Sequence, residues 1–113
     1  MEVKEIIPTE AFEKLKSENC VLIDVRTDAE FAFVGIADLN NIGGKSVFLP
    51  WKIFPTMSAN PRFQINLERE LQKLSSQDIQ NLDLIFMCRS GARSFEAAAY
   101  ASQLGYKNCY NLT

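Results

Sequence analysis

Cys88, Arg89 and Arg93 fall within six residues, in the run Cys88-Arg89-Ser90-Gly91-Ala92-Arg93 that leads into Ser94. A thiol attacks as its thiolate, and nearby guanidinium groups stabilise both that form and any anion approaching it. Gly91 lets the backbone turn so that successive N–H groups point inward as a nest for negative charge. Residues of these types in this order point to a cysteine nucleophile in an anion-binding loop. The competing reading is a buried strand-end cysteine beside solvated arginines, the ordinary fate of a free thiol. The coincidence of charge, glycine and a helix start with the thiol weighs against it.

Two elements must hold that loop. The apolar run Leu84-Ile85-Phe86-Met87 shows no polar alternation, as expected of a strand covered on both faces, and its carboxyl end carries Cys88. From Ser94 to Leu104 the spacing predicts a helix. Phe95, Ala98, Ala99 and Ser102, then Ala97, Ala101 and Leu104, lie on adjoining faces that let it sit close to a sheet. Gly105 is the expected helix stop, with Tyr106 folding back over the last turn. A loop between such a strand and helix exposes the unpaired amides of the first helical turn, where negative charge is favoured.

Loop width separates the chemistries open to the thiol. Four residues stand between Cys88 and Arg93. Cysteine phosphatases place five between the nucleophile and the phosphate-clamping arginine; here Ser94 occupies that arginine's place. The stretch 88–94 resembles the rhodanese-like family, whose six-residue loop begins with the persulfide-forming cysteine and often reads Cys-Arg-Ser-Gly-x-Arg-Ser. Val21-Leu22-Ile23-Asp24-Val25-Arg26, followed by Glu30-Phe31, resembles the family's earlier motif. Leu104-Gly105-Tyr106 and Cys109-Tyr110-Asn111-Leu112 are similar to its ending. Two departures stand out. Gly35-Ile36-Ala37-Asp38 replaces the family's usual Gly-His-Ile-Pro-Gly-Ala, and the chain stops at Thr113, before the glycine turn and final helix that commonly follow.

The resemblance implies one α/β domain over residues 1–113, with a mainly parallel central sheet of about five strands, helices on both faces and the active loop at its carboxyl edge. It also implies a sulfurtransferase. Cys88 would take the outer sulfur of thiosulfate or a similar small sulfur-containing anion, hold it as a persulfide, and pass it to cyanide or a thiol, with a protein acceptor left open. Arg89, Ser90, Gly91, Ala92, Arg93 and Ser94 would form the binding loop, and neither a metal nor an organic cofactor is called for. One alternative is a module of the same fold that loads sulfur poorly and docks a protein partner or senses redox state. A small phosphatase or arsenate reductase is a third reading, disfavoured by the short loop.

Composition narrows the partners. The 113 residues are 47% hydrophobic and 23% charged with a formal net charge of -2, values of an ordinary globular domain with no global attraction for nucleic acid or an anionic membrane. The two loop arginines are thus a local feature suited to a small anion. Neither a signal segment nor a run of membrane-spanning length is present, so a cytoplasmic location is expected. Cysteines at 20, 88 and 109 suggest neither a disulfide framework nor a zinc site, and Cys20 and Cys109 read as packing residues. The absence of histidine removes Ser-His-Asp and Cys-His arrangements, leaving arginines and amides to activate a thiol.

Elsewhere, Val3 to Ile7 is a strand candidate, and a helix opens at Pro8-Thr9 with Thr9 as N-cap and Ala11, Phe12 and Leu15 as its apolar side. Glu10 and Lys14 read as part of a solvated face. Asp24 and Arg26 close the strand Val21 to Val25. An ion-paired network holding the strand end is the first reading, and a lining of the site the second. Thr27-Asp28-Ala29-Glu30 has capping-box form and predicts a short helix ending at Gly35. Ser46 to Leu49 is a strand cut off by Pro50. The dense apolar stretch Trp51 to Met57 reads as core, with Trp51 a candidate for the pocket rim. Asn60 and Pro61 read as N-cap and first residue of a helix whose Phe63, Leu67, Leu71 and Leu74 form a core stripe. Ser75 to Asn81 reads as a polar connection.

Overall fold

Seven short strands and three helices account for most of residues 3–26, 45–53, 58–75, 78–88 and 92–113, the residues that the computed structural model describes. The strands are β1 (Val3–Ile6), β2 (Cys20–Asp24), β3 (Lys45–Phe48), β4 (Lys52–Ile53), β5 (Ser58–Ala59), β6 (Asp83–Met87) and β7 (Asn108–Leu112). The helices are α1 (Pro8–Lys14), α2 (Phe63–Leu74) and α3 (Ala92–Gln103). Five strands form one sheet in the order β1-β7-β6-β2-β3, and every pairing in it is parallel. All strands therefore end on the same edge, the edge where α/β sheets gather their ligand sites.

The uninterrupted apolar runs are explained by what lies on the two faces. Val21, Ile23, Val25, Leu84 and Phe86 pack with Phe63, Leu67 and Leu71 of α2 and with Ala97, Ala98 and Ala101 of α3. Cys20, Leu22 and Ile85 point the other way, onto Ala11 and Leu15 beside α1. Alternate residues of β2 and β6 thus enter different cores, so neither strand has a solvated face that polar alternation would mark. Ala97, Ala98 and Ala101 of α3 are fully buried, so the helix that begins beside Cys88 lies close against the sheet. Its end is fixed by Gly105 at φ 108°, with the Gly105 N–H donating to the Ser102 carbonyl at 3.1 Å and the Tyr106 N–H to that of Ala101 at 3.2 Å.

Several boundaries and faces differ from the sequence expectation. Ile7, not Thr9, caps α1, because Pro8 takes the first helical position and the Ile7 N–H donates to Glu10 Oε1 at 3.4 Å. Phe12 is 49% exposed rather than part of the apolar side, and Lys14 leaves the solvated face to pair with Asp83 at 3.1 Å across the Tyr110 ring. Asn60 does not cap α2, whose N-cap is Arg62. The Asn60 amide instead accepts from the Arg62 N–H at 3.0 Å and donates to the Pro50 carbonyl at 3.0 Å, so it serves the preceding turn. α3 starts at Ala92, two residues before Ser94, which leaves Phe95 facing solvent. β4 and β5, for which the sequence offered no strand expectation, pair antiparallel. The helix expected from Thr27 to Gly35, and Glu30-Phe31 with it, lies outside the described residues. Among those described, no helix is long and apolar enough to cross a membrane.

Candidate active site

Cys88 follows the last residue of β6, in the middle of the sheet's carboxyl edge, and is half-buried. Six residues later Ser94 lies in the first turn of α3, where backbone N–H groups have no partner within the helix. The Ser94 N–H donates to Cys88 Sγ at 3.3 Å. The sulfur therefore sits at the positive end of a twelve-residue helix, where a thiolate is favoured. Ser94 Oγ also lies 3.3 Å from Sγ, within reach of the thiol proton.

Ser94 is completely buried, and its hydroxyl donates to Asn111 Oδ1. Asn111 is nearly as buried, and its Nδ2 donates to Glu5 Oε2 at 3.2 Å. The sheet register explains the alignment. Asn111 of β7 stands opposite Phe86 of β6 on one side and Glu5 of β1 on the other, two strand positions before Cys88. A polar chain thus runs from the thiol through Ser94 and Asn111 to a carboxylate at the sheet edge. Ser94 was expected in the loop; its link to Asn111 was not. The signal was available in Cys109-Tyr110-Asn111-Leu112, since Asn111 shares a face with the buried Cys109 and a buried amide requires partners.

At the neighbouring strand end, Asp24 and Arg26 engage each other. Arg26 Nε lies 2.9 Å from Asp24 Oδ1, Nη2 lies 2.6 Å from Oδ2, and the Arg26 N–H donates to Oδ1 at 3.1 Å. Both side chains are buried. The Val25 N–H donates to the Met87 carbonyl and the Leu49 N–H to that of Asp24, so this pair is bound to the strand ends on either side of it. The first of the two sequence readings describes the geometry. Trp51 reaches the same edge through its N–H bond to the Val25 carbonyl at 3.2 Å. Its indole meets Phe63 edge-on at 5.0 Å and donates from Nε1 to Glu96 of α3 at 3.2 Å. Trp51 and Cys88 pack against the same apolar cluster.

Of the loop residues, Ala92 is exposed and Arg93 half-buried in the first turn of α3; Arg89, Ser90 and Gly91 lie outside the described residues. Burial pushes the Cys20 thiol up to about 12, with the Asp83 charge adding to it, and burial alone pushes Cys109 up to about 12. Neither can act as a thiolate near neutrality. Cys88 is the only described cysteine that is not buried.

This geometry can be set beside known proteins. A family model described as a rhodanese-like domain matches residues 8–113. An uncharacterized protein of Rickettsia conorii is 40% identical over 115 aligned positions, which cover 100% of this chain and 83% of that protein. A protein of Allochromatium vinosum named sulfurtransferase is 33% identical over 97 positions, covering 85% of this chain and 67% of its own length. The crystal structure of Rv0390 from M. tuberculosis superposes with a TM-score of 0.82 at 33% identity, covering 99% of this chain and 78% of that one. With its parallel sheet and a cysteine at the amino end of the helix that follows the middle strand, the chain belongs to the rhodanese-like domain family.

Proposed function

We propose that the protein is a sulfurtransferase that carries sulfane sulfur on Cys88. The observation that supports this most is the Ser94 N–H donated to Cys88 Sγ at the start of α3, with Arg93 in the same turn. The thiolate attacks the outer sulfur of thiosulfate, the S–S bond of the donor breaks with its electron pair on sulfite, and Cys88 becomes a persulfide. An acceptor nucleophile, cyanide or a thiolate, then attacks the outer persulfide sulfur and the Cys88 thiolate leaves. Amides of the loop stabilise the anionic outer sulfur, and Arg89 and Arg93 draw the anionic donor in. Arg26, already held by Asp24, serves the scaffold of the site.

The acceptor comes from outside the chain. Cys20 lies level with Asp83 and Cys109 with Leu84, so each sits four or five strand positions behind Cys88, roughly 13–16 Å along the sheet. Both are also buried, so neither can resolve the persulfide by forming a disulfide. All three cysteines are free thiols, which suits a reducing, cytoplasmic setting. The relative from A. vinosum that bears the name sulfurtransferase supports the same assignment. The test is a turnover assay with thiosulfate and cyanide that follows thiocyanate and sulfite. The protein should form both in equal amounts while Cys88→Ser forms neither. Equal turnover by Cys88→Ser would refute the assignment, and release of phenol from an aryl phosphate would point to the wider-loop chemistry instead.

A further inference from the structure

The polar chain behind Cys88 has a direction, and Glu5 sets it. An ionised carboxylate can only accept hydrogen bonds, so the Asn111 amide must turn Nδ2 toward Glu5, from which it lies 3.2 Å away, and present Oδ1 to Ser94. Ser94 has one hydroxyl proton, and it goes to Oδ1. Toward Cys88 Sγ, 3.3 Å away, Ser94 Oγ then offers a lone pair. That lone pair suits an S–H donor and opposes a thiolate, for which only the backbone N–H of Ser94 remains as the donor from this residue.

We propose that Asn111, its amide oriented by Glu5, is a positioning residue that draws the Ser94 hydroxyl proton away from Cys88 and so sets the balance between thiol and thiolate at the site. Its consequence for sulfur transfer rests on the reading of Cys88 as the persulfide carrier. In the persulfide the charge moves to the outer sulfur, so Sγ no longer requires a proton donor. Withholding the Ser94 proton therefore disfavours the free thiolate relative to the loaded form. The other charged groups that the described elements bring to this edge are Arg93 of α3, the Asp24–Arg26 pair at the end of β2, and Glu96, which faces both Trp51 and the Lys52 ammonium 4.0 Å away. The substitutions below leave all of these in place.

Glu5 is exposed on the edge strand β1, so it can be replaced without disturbing the core. In Glu5→Lys the new ammonium can only donate. It turns Asn111 Oδ1 outward and Nδ2 toward Ser94 Oγ, and the hydroxyl proton is released to Cys88. The readout is the pH midpoint of Cys88 alkylation by iodoacetamide, followed by intact mass on the whole chain without any sulfur donor. A hydrogen bond gained by a charged group corresponds to a shift on the order of one pH unit, so Glu5→Lys is expected to lower the midpoint by that amount. Asn111→Ala is expected to lower it too. Ser94→Ala is not expected to raise it, and in the Ser94→Ala background Glu5→Lys is expected to have no further effect.

A shift that persists without the Ser94 hydroxyl would mean that the Glu5 charge acts through space, and would overturn the proposal. So would an unchanged midpoint in Glu5→Lys, or a raised one in Ser94→Ala, which would make Ser94 a donor to the thiolate. Alkylation needs no sulfur donor, so these outcomes are independent of whether the protein transfers sulfur. If Asn111→Ala fails to fold, Glu5→Lys alone and in the Ser94→Ala background still decides the matter.

Discussion

Raising the pH should weaken the fold through two thiols that take no part in the chemistry. Cys20 and Cys109 have ordinary values of 9.0 and are pushed up to about 12, mainly by burial. Above 9 the unfolded chain loses these protons while the native chain keeps them, so the native state binds more protons and stability falls as pH rises. The contribution is complete below 9 and is lost progressively up to about 12. Between about pH 8 and about pH 10 each thiol accounts for on the order of 1 kcal/mol, and the two together for roughly 2–3 kcal/mol. Tyr106 and Lys14 are also raised, but from 10.0 and 10.5, so their losses come at higher pH. The assay is urea unfolding under reducing conditions at a series of pH values, comparing the protein with Cys20→Ala/Cys109→Ala. The double variant should start from lower stability and lose less of it on the way up. Parallel pH profiles would refute the burial argument and with it the assignment of Cys88 as the single reactive thiol.

Two further substitutions test the scaffold around the site. Asp24→Asn breaks the buried bidentate pair with Arg26 and should cost about 3–5 kcal/mol in urea unfolding, whereas Asp24→Leu/Arg26→Met should recover most of that loss. A loss below about 1 kcal/mol from the single change would mean the pair behaves like an exposed one. Gly105→Ala introduces a Cβ at φ 108°, 3.3 Å from Gln80 Nε2, and should lower stability by on the order of 1–2 kcal/mol. A neutral result in thermal unfolding would show that the α3 terminus relaxes without strain.

The parallel sheet and the helix after Cys88 were legible because their signals are redundant. β6 carries an unbroken apolar run, α3 carries alanines on one side, and Gly105 stops the helix in the conformation its type permits. Cys20 and Cys109 were also readable as packing residues, since Cys20 adjoins the apolar run Val21 to Val25 and neither has a paired cysteine spacing. Helix starts were harder to read. Both Thr9 and Asn60 are good caps in isolation, but Pro8 and the ties of Asn60 to Pro50 and Trp51 moved the boundaries. Phe12 and Phe95 were misassigned to apolar faces because hydrophobicity alone does not say which side of a short helix meets the sheet. The link from Ser94 to Asn111 spans seventeen residues and depends on strand register, which local sequence does not encode. Lys14 likewise finds Asp83 only once α1 lies over β6.

The most direct test of Cys88 as a sulfur carrier is the intact mass of the protein after incubation with thiosulfate. One sulfur atom should be gained, map to Cys88, disappear on treatment with cyanide, and be absent from Cys88→Ser. A protein that gains no sulfur at Cys88 from thiosulfate or any other sulfane donor, while that thiol alkylates freely, would contradict the proposed function.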